Sequence, residues 1–105
     1  MADREIIETL KKYVVLLKTE GVSVRRAFLF GSFANDTAKE NSDIDVLIVS
    51  DNIDESNDLA IGKVWSLTRK VSTRIEPYLI GWDTFNSNDD SPLIHVIKSK
   101  GIRIV

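Results

Sequence analysis

Two short apolar runs, held apart by a polar stretch, constrain the fold of this 105-residue chain more than any other feature. The first runs from Ala27 to Phe30 and the second from Val46 to Val49. Each is short, rich in β-branched or aromatic residues and bounded by polar positions, so each predicts a buried strand. Gly31 and Ser32 follow the first run directly, and ten residues, 33 to 42, separate Ser32 from the acidic residues before the second run.

Asp43 and Asp45 stand one residue apart at the start of the second predicted strand. Side chains alternate between the two faces of a strand, so both carboxylates project from the same face. Two neighbouring carboxylates repel each other and are costly to bury unless a cation joins them. Mg²⁺ usually takes one or two protein carboxylates together with substrate phosphates. A pair of solvated acids at a strand entrance is the simpler alternative.

Gly31 and Ser32 supply the complementary half of such a site. Glycine lets the backbone approach a ligand closely. A serine at a strand-to-helix turn offers a hydroxyl and backbone N–H groups to an anion. An ordinary turn would use the same two residues, but combined with the aspartates they indicate a site for a metal and a nucleotide.

The remaining patterns predict a mixed sheet of about four strands with helices packed on it, an α/β (α+β) fold in a single domain over residues 1–105. Asp3 is the expected N-cap of the first helix and Gly21 its stop. Pro77 places the third strand at a sheet edge or ends its pairing. The predicted helices are 4–20, 57–72 and Pro92 to Lys100, with a short helix or loop after Ser32, and the predicted strands are 24–30, 43–50, 74–81 and 102–105.

Composition excludes several classes of protein. With 14 basic and 16 acidic residues and a formal charge of -2, general binding to nucleic acid is not expected. The absence of cysteine excludes disulfides and thiolate metal sites. The charged N-terminus lacks the apolar core of a signal peptide, and no apolar run reaches the ~20 residues that span a membrane. A cytoplasmic protein fits these features.

The segment GSFANDTAKENSDIDVLIV resembles the Gly-Ser-x10-Asp-x-Asp signature of the DNA polymerase β-like nucleotidyltransferase superfamily. The short chain is most similar to the minimal nucleotidyltransferases, whose known members include antitoxins of two-gene toxin–antitoxin pairs. The resemblance implies a polymerase β-like fold, ATP or another nucleoside triphosphate as substrate, and two Mg²⁺ ions, with Mn²⁺ as an alternative.

The same resemblance implies roles for individual residues. Asp43 and Asp45 would hold metal. Glu76, on the strand after the long helix, would be the third acid and would bind metal or take the proton of the acceptor hydroxyl, although an edge-strand glutamate needs no such role. Gly31 and Ser32 would hold the β- and γ-phosphates.

The implied reaction transfers a nucleoside monophosphate, AMP in the leading hypothesis, to a tyrosine of a helical HEPN-type partner encoded nearby. The chain would then be an antitoxin that silences a ribonuclease. Transfer to a small molecule such as an aminoglycoside is a weaker alternative, and it would require a homodimer or a second domain.

One departure motivates a rival hypothesis. Family members commonly continue the Gly-Ser motif with Arg-Gly, whereas this chain has Asn35-Asp36, which removes a cation and adds an acid near the expected phosphate site. The alternative is therefore a nucleotide-binding or protein-binding module without turnover. Lys39, Lys63 and Arg74 are candidates to restore positive charge, although solvated surface positions are the simpler interpretation.

Four other side chains have ordinary structural interpretations. Trp65 is expected in the helix core, and core packing is also the default for Trp82 and Phe85, with a partner surface as the alternative. His95 is expected at the surface of the last helix rather than in a site.

Overall fold

A computed structural model of the chain describes residues 4–31, 42–53, 56–87 and 91–105. A four-stranded sheet with the order β3-β2-β1-β4 forms its centre. The elements are α1 (Arg4–Thr19), β1 (Arg26–Phe30), β2 (Ile44–Ser50), α2 (Asp58–Thr68), β3 (Ile75–Gly81), α3 (Trp82–Asn86), α4 (Pro92–Lys100) and β4 (Ile102–Arg103).

The sheet is mixed, as predicted. β1 pairs antiparallel with both β2 and β4, whereas β2 and β3 run parallel. β3 forms one edge of the sheet, which confirms the prediction made from Pro77. The parallel pair is possible because α2 carries the chain from the end of β2 back to the start of β3, the usual crossover.

The first helix follows directly from its apolar spacing. Ile6, Leu10, Tyr13 and Leu17 recur every three or four residues and are all buried. Gly21 adopts a positive φ of 91° just after the helix, which confirms it as the stop. Asp3, the predicted N-cap, lies outside the described residues.

One face of the sheet is covered by α1 and α2. Ile44, Val46 and Ile48 of β2 point into this layer, together with apolar side chains of both helices. The Tyr13 hydroxyl, fully buried, donates a hydrogen bond of 2.6 Å to the carbonyl oxygen of Val64 and so ties α1 to α2. Burial raises the pKa of Tyr13 above its ordinary value.

The opposite face is covered by α3 and α4. Leu47 and Val49 of β2 pack there against Phe85 and Ile97. Phe85 is therefore in the core, as expected, while Trp82 is half-buried, with the guanidinium of Arg25 3.7 Å from its ring centroid. The five-residue helix α3 was not predicted, because so short a segment carries no helical repeat of apolar residues.

Two further expectations need comment. Trp65 was predicted in the core, but its side chain is 43% exposed. The buried face of α2 carries Ala60, Val64 and Leu67. Trp65 directly follows Val64 in the chain, so its side chain projects to the side of that face. The helix or loop expected after Ser32 falls outside the described residues. Among the helices that the structure does describe, none is long and apolar enough to cross a membrane.

Replacing Tyr13 by phenylalanine should lower the free energy of unfolding by about 1 kcal/mol, the usual net value of one hydrogen bond. The ring is retained, so only the bond to the Val64 carbonyl oxygen is lost. Urea denaturation measures the change. Thr9→Val is the control, because it removes an exposed bond to the Glu5 carbonyl oxygen and should change stability by less than about 0.5 kcal/mol. Equal effects would contradict a structural role for the buried hydroxyl.

Candidate active site

The pairing of three strands gathers the acidic residues. Asp45 of β2 is the register partner of Glu76 on β3 and, on its other side, of Phe30 on β1. Register partners project from the same face of a sheet, so the two carboxylates lie side by side. This is the face that α3 and α4 cover farther along β2, and Asp45 and Glu76 remain only half-buried there.

Gly31, which directly follows β1, is in close contact with the side chain of Asp45. Its φ is +75°, a conformation that residues with a side chain rarely adopt. A Cβ atom at this position would collide with Oδ2 of Asp45 and would lie 3.3 Å from its Cγ. The backbone conformation therefore favours glycine, and any side chain here would also force the Asp45 carboxylate to move.

The carboxylates repel one another. Burial, a side-chain hydrogen bond to Glu76 and the negative charges of Glu76 and Asp43 together raise the pKa of Asp45 to about 6. Near neutral pH the site thus holds negative charge at a cost in free energy, and a cation would relieve that cost.

Asp43 is placed differently from the other two acids. It precedes β2 and is exposed, although its charge still acts on Asp45. Among the described residues, no three His, Cys, Asp or Glu side chains form a group that could hold one metal ion. Within this part of the chain Asp45 and Glu76 form a close pair, and such a pair suits a Mg²⁺ ion that completes its shell with phosphate and water oxygens.

The entrance of β2 is anchored by Arg74. Its Nε and Nη2 atoms donate to the carbonyl oxygen of Ser42, at 3.2 Å and 3.1 Å, and its own carbonyl oxygen accepts from the Ile44 N–H at 2.8 Å. Arg74 therefore lies beside the residue that precedes Asp43. The ammonium of Lys63 donates instead to the carbonyl oxygen of Glu20, in the helical layer.

Ser32, Lys39 and the pair Asn35-Asp36 lie outside the described residues. His95 is on α4 and exposed, as expected.

Sequence reasoning missed Tyr78, which lies on β3 two residues after Glu76 and so on the same face. Its side chain is 41% exposed, and its ring centroid is 5.3 Å from that of Phe30. Burial, followed by the negative charges of Asp45, Glu76 and Asp43, raises the pKa of Tyr78 above its ordinary value. Because side chains alternate between the two faces of a strand, the two-residue step from Glu76 to Tyr78 could have predicted that they share a face.

Comparison with known proteins agrees with this geometry. The sequence profile of a family described as "Nucleotidyltransferase domain" matches residues 5–100. No curated protein matches the chain with significance.

Solved structures share the fold at low sequence identity. A provisionally assigned nucleotidyltransferase from Sulfolobus solfataricus has a TM-score of 0.60 and 20% identity, covering 81% of this chain and 76% of that one. A toxin–antitoxin structure with AMP-PNP has a TM-score of 0.64 and 18% identity, covering 94% and 72%. A mutant of the toxin–antitoxin pair MntA–HpeT has a TM-score of 0.61 and 18% identity, covering 90% and 71%.

The fold and the profile define a transferase enzyme with the predicted polymerase β-like architecture. The chain belongs to the nucleotidyltransferase domain family, whose profile covers nearly all of it.

Gly31→Ala should destabilise the protein more than Gly21→Ala. Both glycines have positive φ, and an alanine there costs roughly 1–2 kcal/mol of backbone strain. Only at position 31 would the new Cβ also collide with Asp45, whereas nothing lies within 4 Å of a Cβ at position 21. Urea denaturation of both variants measures the difference. Equal losses of stability would show that Asp45 does not press against Gly31.

Asp45 should make the metal-free protein less stable as the pH rises. Its pKa is raised from an ordinary value of 3.8 to about 6 in the folded state. Between these values the folded chain binds more protons than the unfolded chain, so the free energy of unfolding falls with rising pH. Asp45→Asn cannot ionise, and its stability relative to wild type should therefore increase from about pH 4 to about pH 6 and then stay constant.

Thermal unfolding in a chelating buffer across this range checks the expectation. Glu8→Gln is the control, because Glu8 is exposed on α1 away from the acidic pair. A stability difference between Asp45→Asn and wild type that does not change with pH would refute the raised pKa of Asp45 in the folded state.

Proposed function

We infer that this chain transfers AMP from ATP, with Mg²⁺ or Mn²⁺, to a tyrosine hydroxyl of a helical HEPN-type partner and thereby acts as the antitoxin of a pair. The observation that carries the proposal is the pair of acidic residues Asp45 and Glu76. They lie side by side on neighbouring strands, and Asp45 approaches Gly31 closely. We treat residues 1–105 as one minimal domain that works in the cytoplasm, with the partner supplying the acceptor.

Asp45 and Asp43 would hold the metal ion, and Glu76 beside Asp45 would either complete the ligand set or take the acceptor proton. When bound, the metal neutralises charge on the phosphates and helps to orient them. Gly31 and Ser32 would hold the β- and γ-phosphates. Catalysis would then consist mainly of positioning and charge stabilisation, as in other phosphoryl transfers.

The proposed reaction makes one bond and breaks one. The acceptor oxygen forms a bond to the α-phosphorus of ATP, and the bond from that phosphorus to the bridging oxygen breaks, so that pyrophosphate leaves. The acceptor proton passes to the carboxylate of Glu76. Glu76 suits this role by its position, since it lies beside Asp45 on the outer strand of the sheet.

Two structural relatives support the choice of nucleotide and partner. One is a toxin–antitoxin structure with AMP-PNP, an ATP analogue. The other is a toxin–antitoxin mutant with two aspartates, two positions apart, changed to glutamate. Asp43 and Asp45 have the same spacing in this chain.

A nucleotide-binding or protein-binding module without turnover is the second candidate. The pair Asn35-Asp36 favours it, since an acid in place of a cation beside the Gly-Ser motif weakens attraction for a triphosphate.

Two variants separate binding from transfer. Asp45→Asn should abolish the dependence of ATP affinity on Mg²⁺, because it removes a charged ligand. Glu76→Gln keeps the shape of the side chain but removes its basicity. It should slow transfer of AMP by ~10²–10⁴-fold, the range for loss of a general base, while ATP still binds through the aspartates.

Calorimetry with and without Mg²⁺ measures affinity, and single-turnover incorporation of labelled AMP into the co-purified partner measures transfer. Glu8→Gln again serves as the control. ATP affinity that is equal in wild type and Asp45→Asn, with and without metal, would remove the proposed site. Tight, metal-dependent ATP binding without any transfer by wild type would favour the second candidate.

A further inference from the structure

An apolar groove lies along the outer strand of the sheet, and its lining begins at Tyr78, two residues after Glu76. We call it the β3 groove, and its volume is about 360 Å³. It continues the face that carries Glu76, because Tyr78 and Ile80 follow Glu76 at two-residue steps along β3. Its apolar walls include Tyr78, Ile80, Leu93 and Ile94, and Thr84 and Ser91 also line it.

The register fixes the position of the groove relative to the proposed phosphate site. Across the sheet, Gly31 lies at the end of β1, Asp45 on β2 in the middle and Glu76 on β3 at the edge. If the β- and γ-phosphates lie over Gly31, the α-phosphate lies over Asp45. Pyrophosphate then leaves toward β1. Attacking and leaving oxygens are roughly in line in phosphoryl transfer, so the acceptor must approach from the β3 side.

The chemistry of the groove fits such an acceptor. None of the described residues that line it is charged, and these walls favour apolar groups over phosphates or a polycationic sugar. Apolar walls with a few hydroxyls are typical of sites that bind apolar side chains and fix their polar atoms. Two of the side chains that line it are large and apolar yet exposed, Tyr78 by 41% and Leu93 by 44%. An apolar occupant would cover both.

We propose that the β3 groove docks the acceptor segment of the partner protein, a stretch in which a tyrosine is flanked by apolar side chains. The flanking side chains lie against Leu93 and Ile94, and the tyrosine ring lies against Tyr78. Its hydroxyl then reaches Glu76, which takes the proton as the oxygen joins the α-phosphorus and pyrophosphate leaves. This inference rests on the proposed function, but docking itself needs neither nucleotide nor metal.

Matched substitutions test the groove. Leu93→Glu places a charge in it, and Leu59→Glu places the same charge on α2, in the layer across the sheet. Both leucines occupy the second position of their helix, after the caps Ser91 and Asn57, where an acidic residue is favourable. Both variants should therefore fold.

Two capped peptides serve as probes. One is acetyl-Leu-Phe-Leu-amide, which cannot accept AMP, and the other has tyrosine in place of phenylalanine. Amide resonances of Tyr78, Ile80 and Ile94 should shift when wild type binds the phenylalanine peptide. Leu93→Glu should weaken this binding by about tenfold or more, because a carboxylate is costly to bury against apolar side chains. Leu59→Glu should bind the peptide as wild type does, and ATP affinity should stay within about twofold in both variants.

Other results would overturn the assignment. If adenosine or ATP shifts the groove resonances and the peptide does not, the groove holds the nucleobase. If Leu59→Glu and Leu93→Glu weaken peptide binding equally, the contact lies elsewhere. If labelled AMP appears on the chain itself and is lost in Tyr78→Phe, the acceptor is Tyr78. A wild type that binds the peptide in the groove but never binds ATP would refute the proposed function while leaving the docking surface in place.

Discussion

The parallel pairing of β2 with β3 is the constraint on which the site depends. It sets Asp45 beside Glu76, although 30 residues lie between them in the chain. A shift of one residue would turn Glu76 to the opposite face, into the layer formed by α1 and α2. Apolar side chains such as Ile44 and Ile75, buried in that layer, hold the register, so the packing of the core determines the geometry of the acids.

Most of the fold could be predicted because apolar residues recur at helical or strand spacing in most of its helices and strands. The boundaries of α1, β2 and β3 differ from the predicted ones by one residue at most. The failures have local causes. α3 is too short to show a helical repeat of apolar residues. Trp65 belongs to α2, whose buried face is already occupied by other apolar residues. Burial of a large side chain is decided by the neighbouring elements, and these cannot be read from its own helix.

The candidate site was only partly predictable. Spacing alone indicated that Asp43 and Asp45 share a face, and the resemblance added Glu76. Neither could show that Asp45 pairs closely with Glu76 while Asp43 stays exposed, since that depends on where β2 begins. Tyr78 went unnoticed because a tyrosine in a strand is most simply a packing residue. Its relation to the acids emerges only from the register of β2, β3 and β1.

Pro77 has a consequence for how β3 meets other molecules. An edge strand with an unbroken row of N–H and C=O groups invites a further strand, including one from a misfolded copy of the same chain. Proline has no N–H, so β3 lacks one donor midway along its length. Strand addition and edge-to-edge aggregation are thereby discouraged along β3, and a molecule that met this edge would have to be held mainly through side chains.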